Sequence, residues 1–305
     1  MKQKGRLMGD IMLMTTAFIW GTAFVAQRAG MEHIGPLTFM ATRYMLAVIS
    51  IGIVAYLYFY MNKKKYAMSL SRPKHDKTTT IVSGLVTGSI LFVASSMQQT
   101  GLVYSSAGKV GFITALYIII VPILGIFFKK RVGPLTWLGV VLATVGLYLL
   151  TMKEGLSMEY GDFIVLMASF IWAVHILVID YYSNKVEPLY MSFLQFFVAM
   201  ILSSIAMFLW EKPEWSGIWD ARVSIFYAGV FSAGVGYTLQ MIAQKNTDPT
   251  IASLILSLEA VFGALGGYFL LNEVLSTKEL IGCVVMFIAI LIAQIPDKKT
   301  QSIFS

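Results

Sequence analysis

The chain has 305 residues, of which 57% are hydrophobic and 13% are charged. Soluble domains carry about 25% charged residues, so this composition excludes an ordinary soluble domain. The net charge of +7 is explained below by membrane topology, so no nucleic-acid partner is expected.

Ten apolar stretches, bounded by polar residues, proline or glycine, follow one another along the chain. Each has the length of about 20 residues that a helix needs to cross a bilayer. Only helices satisfy their own backbone in lipid at such lengths, so the sequence predicts an all-α integral membrane protein. The ten predicted transmembrane helices are residues 9–27, 36–61, 80–102, 105–128, 134–151, 161–182, 188–210, 223–244, 249–271 and 278–295.

The second half of the chain repeats the first. Glycine, tryptophan and proline at positions 9, 20 and 36 recur at positions 161, 172 and 188, always 152 residues later. Farther along, the spacing becomes 145 and then 143 residues. Each repeat holds five spans, an odd number, so the second repeat enters the membrane from the opposite side. This predicts two inverted five-helix repeats, residues 1–152 and 153–305, which open a central site alternately to either face.

Basic residues are unevenly divided between the predicted loops. With the N-terminus in the cytoplasm, 16 lysines and arginines lie in inside segments and 5 lie in outside segments. Because cytoplasmic loops are enriched in these residues, both termini are predicted to be cytoplasmic, in a multi-pass protein of the cell membrane. A complete pair of inverted halves could work as a monomer or a homodimer.

Several segments resemble a known family of transporters. They are WGTAFVAQ at 20–27, GPLTFMATRYMLA at 35–47, TGLVYSSAGKVGFITALYIIIVPILG at 100–125, WAVHILVIDYYS at 172–183, YTLQMIAQ at 237–244 and SLILSLEAVFGALGGYFLLNEVLS at 253–276. In this order they resemble the drug/metabolite transporter superfamily, and within it the ten-helix EamA-type transporters.

The resemblance covers nearly the whole chain and implies a fold and a function. It implies two inverted five-helix units around a central cavity, lined largely by the first four helices of each unit. It also implies a secondary transporter that exports a small organic metabolite, such as an amino acid or a related compound. Family members also carry drugs, phosphorylated sugars and nucleotide sugars, so the cargo stays open.

Glu259 is a carboxyl group inside the ninth predicted span. It lies ten residues after Pro249, which is about 15 Å along a helix and near the middle of the bilayer. A charge there costs about 2.5–3.5 kcal/mol on insertion scales, so the side chain is expected to face a cavity or a partner. It could couple transport to protons or bind an amine of the cargo; it could also pair with Arg43 or with a neighbouring helix.

Two basic residues also lie inside predicted spans. Arg43 could bind a carboxylate or phosphate of the cargo through two parallel hydrogen bonds, or it could hold helices together. Its counterpart in the second repeat is Gln195. Lys109 lies near a helix end, so it could contact the cargo or extend to the lipid headgroups.

Other polar and aromatic residues of the spans are weaker candidates. His175 could relay protons or pack in the core. Trp20 and Trp172 are counterparts in the two repeats, and so are Gln99 and Gln244; these pairs could line the cavity or support packing. Gln240 lies on the same predicted span as Gln244.

Two alternative functions are considered. A flippase for a lipid or lipid-linked sugar would use Arg43 and Lys109 to bind phosphate. A membrane-embedded enzyme is disfavoured, since the sequence has no GxSxG or HExxH motif and no Cys/His cluster. A nucleotide-binding GxxxxGK[ST] loop is also missing, and no cofactor or metal is expected.

Overall fold

The computed structural model describes residues 2–61, 76–105, 107–128, 130, 132–151, 159–271 and 276–295. The helices found there are α1 (Lys2–Met31), α2 (Pro36–Met61), α3 (Lys77–Tyr104), α4 (Ala107–Ala115), α5 (Tyr117–Phe127), α6 (Pro134–Thr151), α7 (Tyr160–Ser183), α8 (Pro188–Trp210), α9 (Trp215–Asp220), α10 (Arg222–Ala243), α11 (Pro249–Leu256), α12 (Glu259–Leu271) and α13 (Thr277–Ala293). The described residues contain no strand. Several basic residues that indicated the topology, among them 63–65 and 298–299, lie outside them.

The protein is a multi-pass helical membrane protein. Eight of the described helical stretches are long and apolar enough to cross a membrane. The predicted spans 134–151 and 278–295 are shorter helices, with 18 and 17 residues in α6 and α13. Within α6, residues Pro134–Leu150 form an apolar helix that is shorter than the eight long stretches.

Local sequence signals explain where many helices begin. Proline occupies a first helical position in α8 and α11, where its missing N–H removes no hydrogen bond. Asp76 caps α3 by accepting hydrogen bonds from the backbone of Thr78 and Thr79. The Thr79 hydroxyl also donates to this carboxylate, and together these bonds hold the pKa of Asp76 below its usual value.

Three predicted spans are not regular α-helices. The fourth span is interrupted at Leu116, between α4 and α5, and the ninth at Ser257 and Leu258, between α11 and α12. At both interruptions, backbone bonds between residues three apart, such as Leu116 to Ile113 and Leu258 to Ile255, occur beside the usual bonds between residues four apart. In the eighth span, the middle of α10 is π-helical over Tyr227–Gly236. Such irregularities often mark functional sites, and all three segments contribute to the cavity described below.

The packing between the two halves is reciprocal. Helix α3 of the first half packs against α7 and α8, whereas α10 of the second half packs against α1 and α2. Helices α4 and α5 pack against α7, and α11 and α12 pack against α1. The pairs α2–α8 and α6–α13 each join two helices that have the same position in their own halves. Each of the contacts named here therefore has a counterpart with the two halves exchanged.

Small residues bring several backbones into close contact. A Cβ added at Gly21 of α1 would collide with the carbonyl oxygen of Glu259 and lie 2.7 Å from the nitrogen of Gly263. At the α6–α13 contact, a Cβ added at Gly282 would lie 2.6 Å from the carbonyl oxygen of Gly146. Such approaches supply the van der Waals packing that holds helices together in lipid.

Candidate functional site

A cavity lies between the two halves. Its wall is built from α1, α2, α3, α4 and α5 of the first half and from α7, α10 and α12 of the second half. Six of the nine sequence-predicted site residues contribute to this wall: Trp20, Arg43, Trp172, His175, Gln240 and Glu259. The cavity is therefore a shared product of both repeats.

Glu259 is the first residue of α12, directly after the interruption in the ninth span. Its side chain is buried, and its Oε1 accepts a hydrogen bond of 3.1 Å from the hydroxyl of Tyr117. Tyr117 is the first residue of α5, directly after the other interruption. The hydrogen bond thus joins the two interrupted spans, one from each half, at the cavity wall.

Arg43 is held by neutral groups. Its Nη1 donates to Oε1 of Gln27 at 2.7 Å, and its Nη2 donates to the hydroxyl of Tyr44 at 3.1 Å. The Tyr44 hydroxyl in turn donates to Ser95 at 2.6 Å. Within the part of the chain that the structure describes, no ion pair joins Arg43 to Glu259. One buried positive group and one carboxyl group therefore share the cavity wall without contacting each other.

Aromatic rings form another part of the wall. The Tyr237 ring lies between the two repeat-related tryptophans, with centroid distances of 4.5 Å to Trp20 and 6.1 Å to Trp172. The Trp20 indole N–H donates to the backbone oxygen of Ser232 at 3.1 Å, inside the π-helical segment. The corresponding N–H of Trp172 has no hydrogen-bond partner among the described residues.

Three predicted site residues lie outside the cavity wall. Lys109 forms an ion pair with Asp162, with its Nζ 2.5 Å from Oδ2. The repeat-related glutamines have separate partners: Gln99 donates to the Met31 sulfur at 2.8 Å, and Gln244 donates to the backbone oxygen of Ile176 at 3.1 Å.

Sequence reasoning missed several residues of the wall, notably Gln27, Tyr44, Tyr117 and Tyr237. A signal was available for Tyr117. Glu259 aligns with Leu116 in the first repeat at the spacing of 143 residues, and Tyr117 is the next residue. The other three give no comparable signal, because a tyrosine or glutamine in an apolar span can equally face a neighbouring helix.

Comparison with known proteins gives consistent results. A model of the EamA-like transporter family matches residues 7–152 and again residues 159–294. An uncharacterized transporter of Archaeoglobus fulgidus is 28% identical over 95% of this chain and 87% of its own length. A chloroplastic WAT1-related protein of Arabidopsis thaliana is 22% identical over 96% of this chain and 71% of its own length. A solved crystal structure with 16% identity covers 96% of this chain and 98% of its own, with a TM-score of 0.76, which supports the fold.

These matches indicate that the protein is a transporter. The family model covers most of the chain, and the relatives named above include a protein described as a transporter. The predicted resemblance is confirmed, and so is the prediction of a transporter rather than an enzyme. The chain belongs to the EamA-like transporter family.

Proposed function

We propose that the protein is a secondary transporter that exports a small organic metabolite, such as an amino acid or a related compound, through the cavity between its halves. The observation that carries the proposal is the joint presence of Arg43 and Glu259 in one buried wall without an ion pair between them. A cargo with a carboxylate and an ammonium group complements both charges, and the rings of Trp20, Trp172 and Tyr237 suit its apolar part.

The proposed mechanism is alternating access by two inverted five-helix repeats with ten transmembrane helices. The reciprocal packing of α3 and α10 supports this mechanism, because it is the pattern expected of two similar units related by a two-fold axis. The interrupted spans support it as well, since discontinuous helices at corresponding positions of two repeats are typical of transporter binding sites. The proposed repeats are residues 1–152 and 153–305.

Orientation, coupling and assembly complete the proposal. The excess of basic residues on one side supports a cell-membrane protein with both termini in the cytoplasm. Glu259 is the proposed site of proton coupling, because a carboxyl group can exchange a proton for a cationic group of the cargo. The proposed assembly is a monomer or a homodimer, because a chain with two halves around one cavity can form a complete transport unit.

The flippase alternative is less well supported. It relied on two basic residues, Arg43 and Lys109, for binding a lipid phosphate. Lys109 is paired with Asp162 and lies outside the cavity wall. Arg43 alone, surrounded by aromatic rings and opposed by a carboxyl group, fits a zwitterionic solute better than a phosphate.

Counterflow in proteoliposomes tests the proposal. Purified protein is reconstituted with an internal pool of each of a panel of amino acids, amines, nucleosides and sugar phosphates, and uptake of the labelled compound is measured. We expect counterflow for zwitterionic amino acids and a loss of about 10-fold or more in Arg43→Gln, which removes a charged hydrogen-bond donor. Glu187→Gln is the matched control, because Glu187 makes no side-chain cap at the start of α8.

One pair of results would overturn the proposal. If no soluble compound of the panel exchanges, while the same liposomes scramble labelled phospholipid between leaflets, the protein is a flippase. Lipid scrambling is therefore measured in parallel, with empty liposomes as the baseline.

A further inference from the structure

Three polar atoms in the second-half wall of the cavity have no hydrogen-bond partner among the described residues. They are Nε1 of Trp172, Nδ1 of His175 and Oε1 of Gln240. All three side chains are at least nine-tenths buried. A buried polar group left without a partner costs about 1–3 kcal/mol, so a site that keeps three of them is built to receive a hydrogen-bonding group.

The three side chains converge around one aromatic ring. The ring centroids of Trp172 and His175 are 5.6 Å apart, and each lies 6.1 Å from the centroid of Tyr237. Gln240 follows Tyr237 by three residues in the α-helical end of α10, so it lies on the same side of that helix. The unpartnered atoms therefore belong to one region of the cavity wall.

The corresponding positions of the first repeat carry no such unpartnered atoms. Trp20, the counterpart of Trp172, donates to the backbone of Ser232. The counterpart of His175 is the alanine at position 23, and that of Gln240 is Ser95, which accepts a hydrogen bond from Tyr44. The two halves share a scaffold, but only the second half leaves hydrogen-bonding capacity open to the cavity at these positions.

The chemistry of the three atoms defines the group that they would receive. The Trp172 indole N–H can only donate. Nε2 of His175 lies 3.1 Å from Oε1 of Gln195; because an amide oxygen only accepts, this contact places the hydrogen of the neutral ring on Nε2 and leaves Nδ1 as an acceptor, as is Oε1 of Gln240. A hydroxyl group is complementary to one donor and one acceptor at once, because its oxygen accepts from Trp172 while its single hydrogen is donated to either His175 or Gln240.

We propose that Trp172, His175 and Gln240 form a subsite that selects cargo bearing a hydroxyl group over the same molecule without it. The inference rests on the proposed function and deepens it. Arg43 and Glu259 bind the carboxylate and ammonium groups that related solutes share. The subsite contacts the side chain, in which these solutes differ from one another. A transporter with this subsite favours hydroxylated metabolites, because the analogue lacking the hydroxyl leaves buried donors and acceptors unpaired.

Matched pairs of solutes test the subsite. Counterflow of L-tyrosine is compared with that of L-phenylalanine, and L-threonine with L-2-aminobutyrate, in the same proteoliposomes. We expect wild type to prefer the hydroxylated member of at least one pair by about 10-fold, the effect of roughly one hydrogen bond. In Trp172→Phe the preference should fall to about 2-fold or less, whatever the effect on total flux, and an unfolding midpoint close to that of wild type shows that the variant is folded.

Trp20→Phe is the matched control. It removes the same indole N–H from the repeat-related position, where the partner is the backbone of α10. Whatever its effect on total flux, it should keep the wild-type preference. If Trp172→Phe transports neither member of a pair, the same preference is measured in Gln240→Leu, which removes an acceptor without altering the aromatic wall. The preference for the hydroxylated member should fall in this variant as well.

The possible outcomes separate the subsite from the function on which it rests. Equal transport of both members of each pair by wild type would mean that water satisfies the three atoms, and the subsite proposal would be wrong while the transporter proposal stands. An equal loss of preference in Trp20→Phe and Trp172→Phe would also contradict it. If no amino acid is carried at all, the proposed function fails first.

Discussion

Arg43 and Glu259 are each fixed by uncharged partners, and this arrangement keeps both available to a cargo. Arg43 is tied to α1 through Gln27, and Glu259 is tied to α5 through Tyr117. Removing one partner of a buried ion pair strands the other charge at a cost of about 3–5 kcal/mol. Because these two groups are not paired with each other, a cargo can bind either one without first breaking such a pair.

At the residue scale, Glu259→Gln tests proton coupling. The substitution keeps a hydrogen-bonding partner for Tyr117 but removes the group that exchanges a proton. We expect cargo flux in proteoliposomes to lose its response to an imposed pH gradient and to fall by about 10-fold or more, the effect of losing one charged hydrogen bond. Flux that follows the pH gradient as in wild type would exclude Glu259 as the coupling group.

Lys109→Gln separates a structural role of Lys109 from cargo binding. Asp162 is 1% exposed and Lys109 is 22% exposed, so removing the lysine is expected to cost about 1–3 kcal/mol. Thermal unfolding can be followed by a thiol-reactive dye, since Cys283 is the sole cysteine and is buried. The unfolding midpoint should fall while the half-saturating cargo concentration stays unchanged.

The matched control for Lys109→Gln is Lys130→Gln. Lys130 pairs with Asp180, and its side chain is 39% exposed. Exposed pairs contribute about 0–1 kcal/mol, so the unfolding midpoint should fall less in this variant. A weakened half-saturation in Lys109→Gln at unchanged stability would instead assign Lys109 to the cargo path.

Many residues of the site could be predicted from the sequence. The others could not, because the sequence does not record in which direction a side chain points. Polar, charged and aromatic residues inside apolar spans indicate six members of the cavity wall. Depth along a helix can be counted from the sequence, but the direction of a side chain around the helix cannot. For this reason the sequence leaves open whether Gln99 and Gln244 line the cavity or support packing; in the structure they bond to Met31 and to the backbone of α7.

At the element scale, the interruptions of the fourth and ninth spans position the principal polar contact of the cavity. Glu259 and Tyr117 each begin the helix that follows an interruption. In a continuous α-helix each residue is rotated by about 100° around the axis from the residue before it, so a shift in hydrogen-bond register changes the direction of every later side chain. The interruptions therefore determine which residues face the cavity.

Gly21→Ala tests the contact between α1 and the second interruption. The added methyl group would collide with the backbone oxygen of Glu259, so α12 must move. We expect a loss of about 1–3 kcal/mol in stability, as for other overpacked interiors, together with reduced transport. The control Gly111→Ala adds a methyl group with no atom within 4 Å and should be neutral or slightly stabilising. Equal stability of the two variants would contradict the close contact.

Helix positions could be predicted from the sequence better than helix continuity. Prolines at 36, 134, 188 and 249 mark helix starts that agree with the structure. The interruptions at Leu116 and at Ser257–Leu258 carry no proline or glycine, and the π-helical part of α10 is rich in small residues that are common throughout the chain. These irregularities depend on packing between helices, which a single sequence does not record.

At the scale of the whole molecule, the repeat and its odd number of spans predict a testable topology. In a Cys283→Ser background, single cysteines replace Lys4, Lys212 or Lys299. We expect a membrane-impermeant maleimide to label intact cells only through Lys212→Cys, since the other two positions are predicted to be cytoplasmic. Permeabilised cells, in which all three should react, provide the control. Labelling of just one terminus in intact cells would require an odd number of spans.

The α6–α13 seam has a mechanical consequence. These two helices touch through Gly146 and Gly282 and contribute no residue to the cavity wall. In the proposed alternating-access cycle, close contact between two glycines leaves no side chain in the way of a small rotation of one half against the other. Replacing Gly146 or Gly282 by a larger residue is therefore expected to slow the transport cycle without altering which cargo is bound.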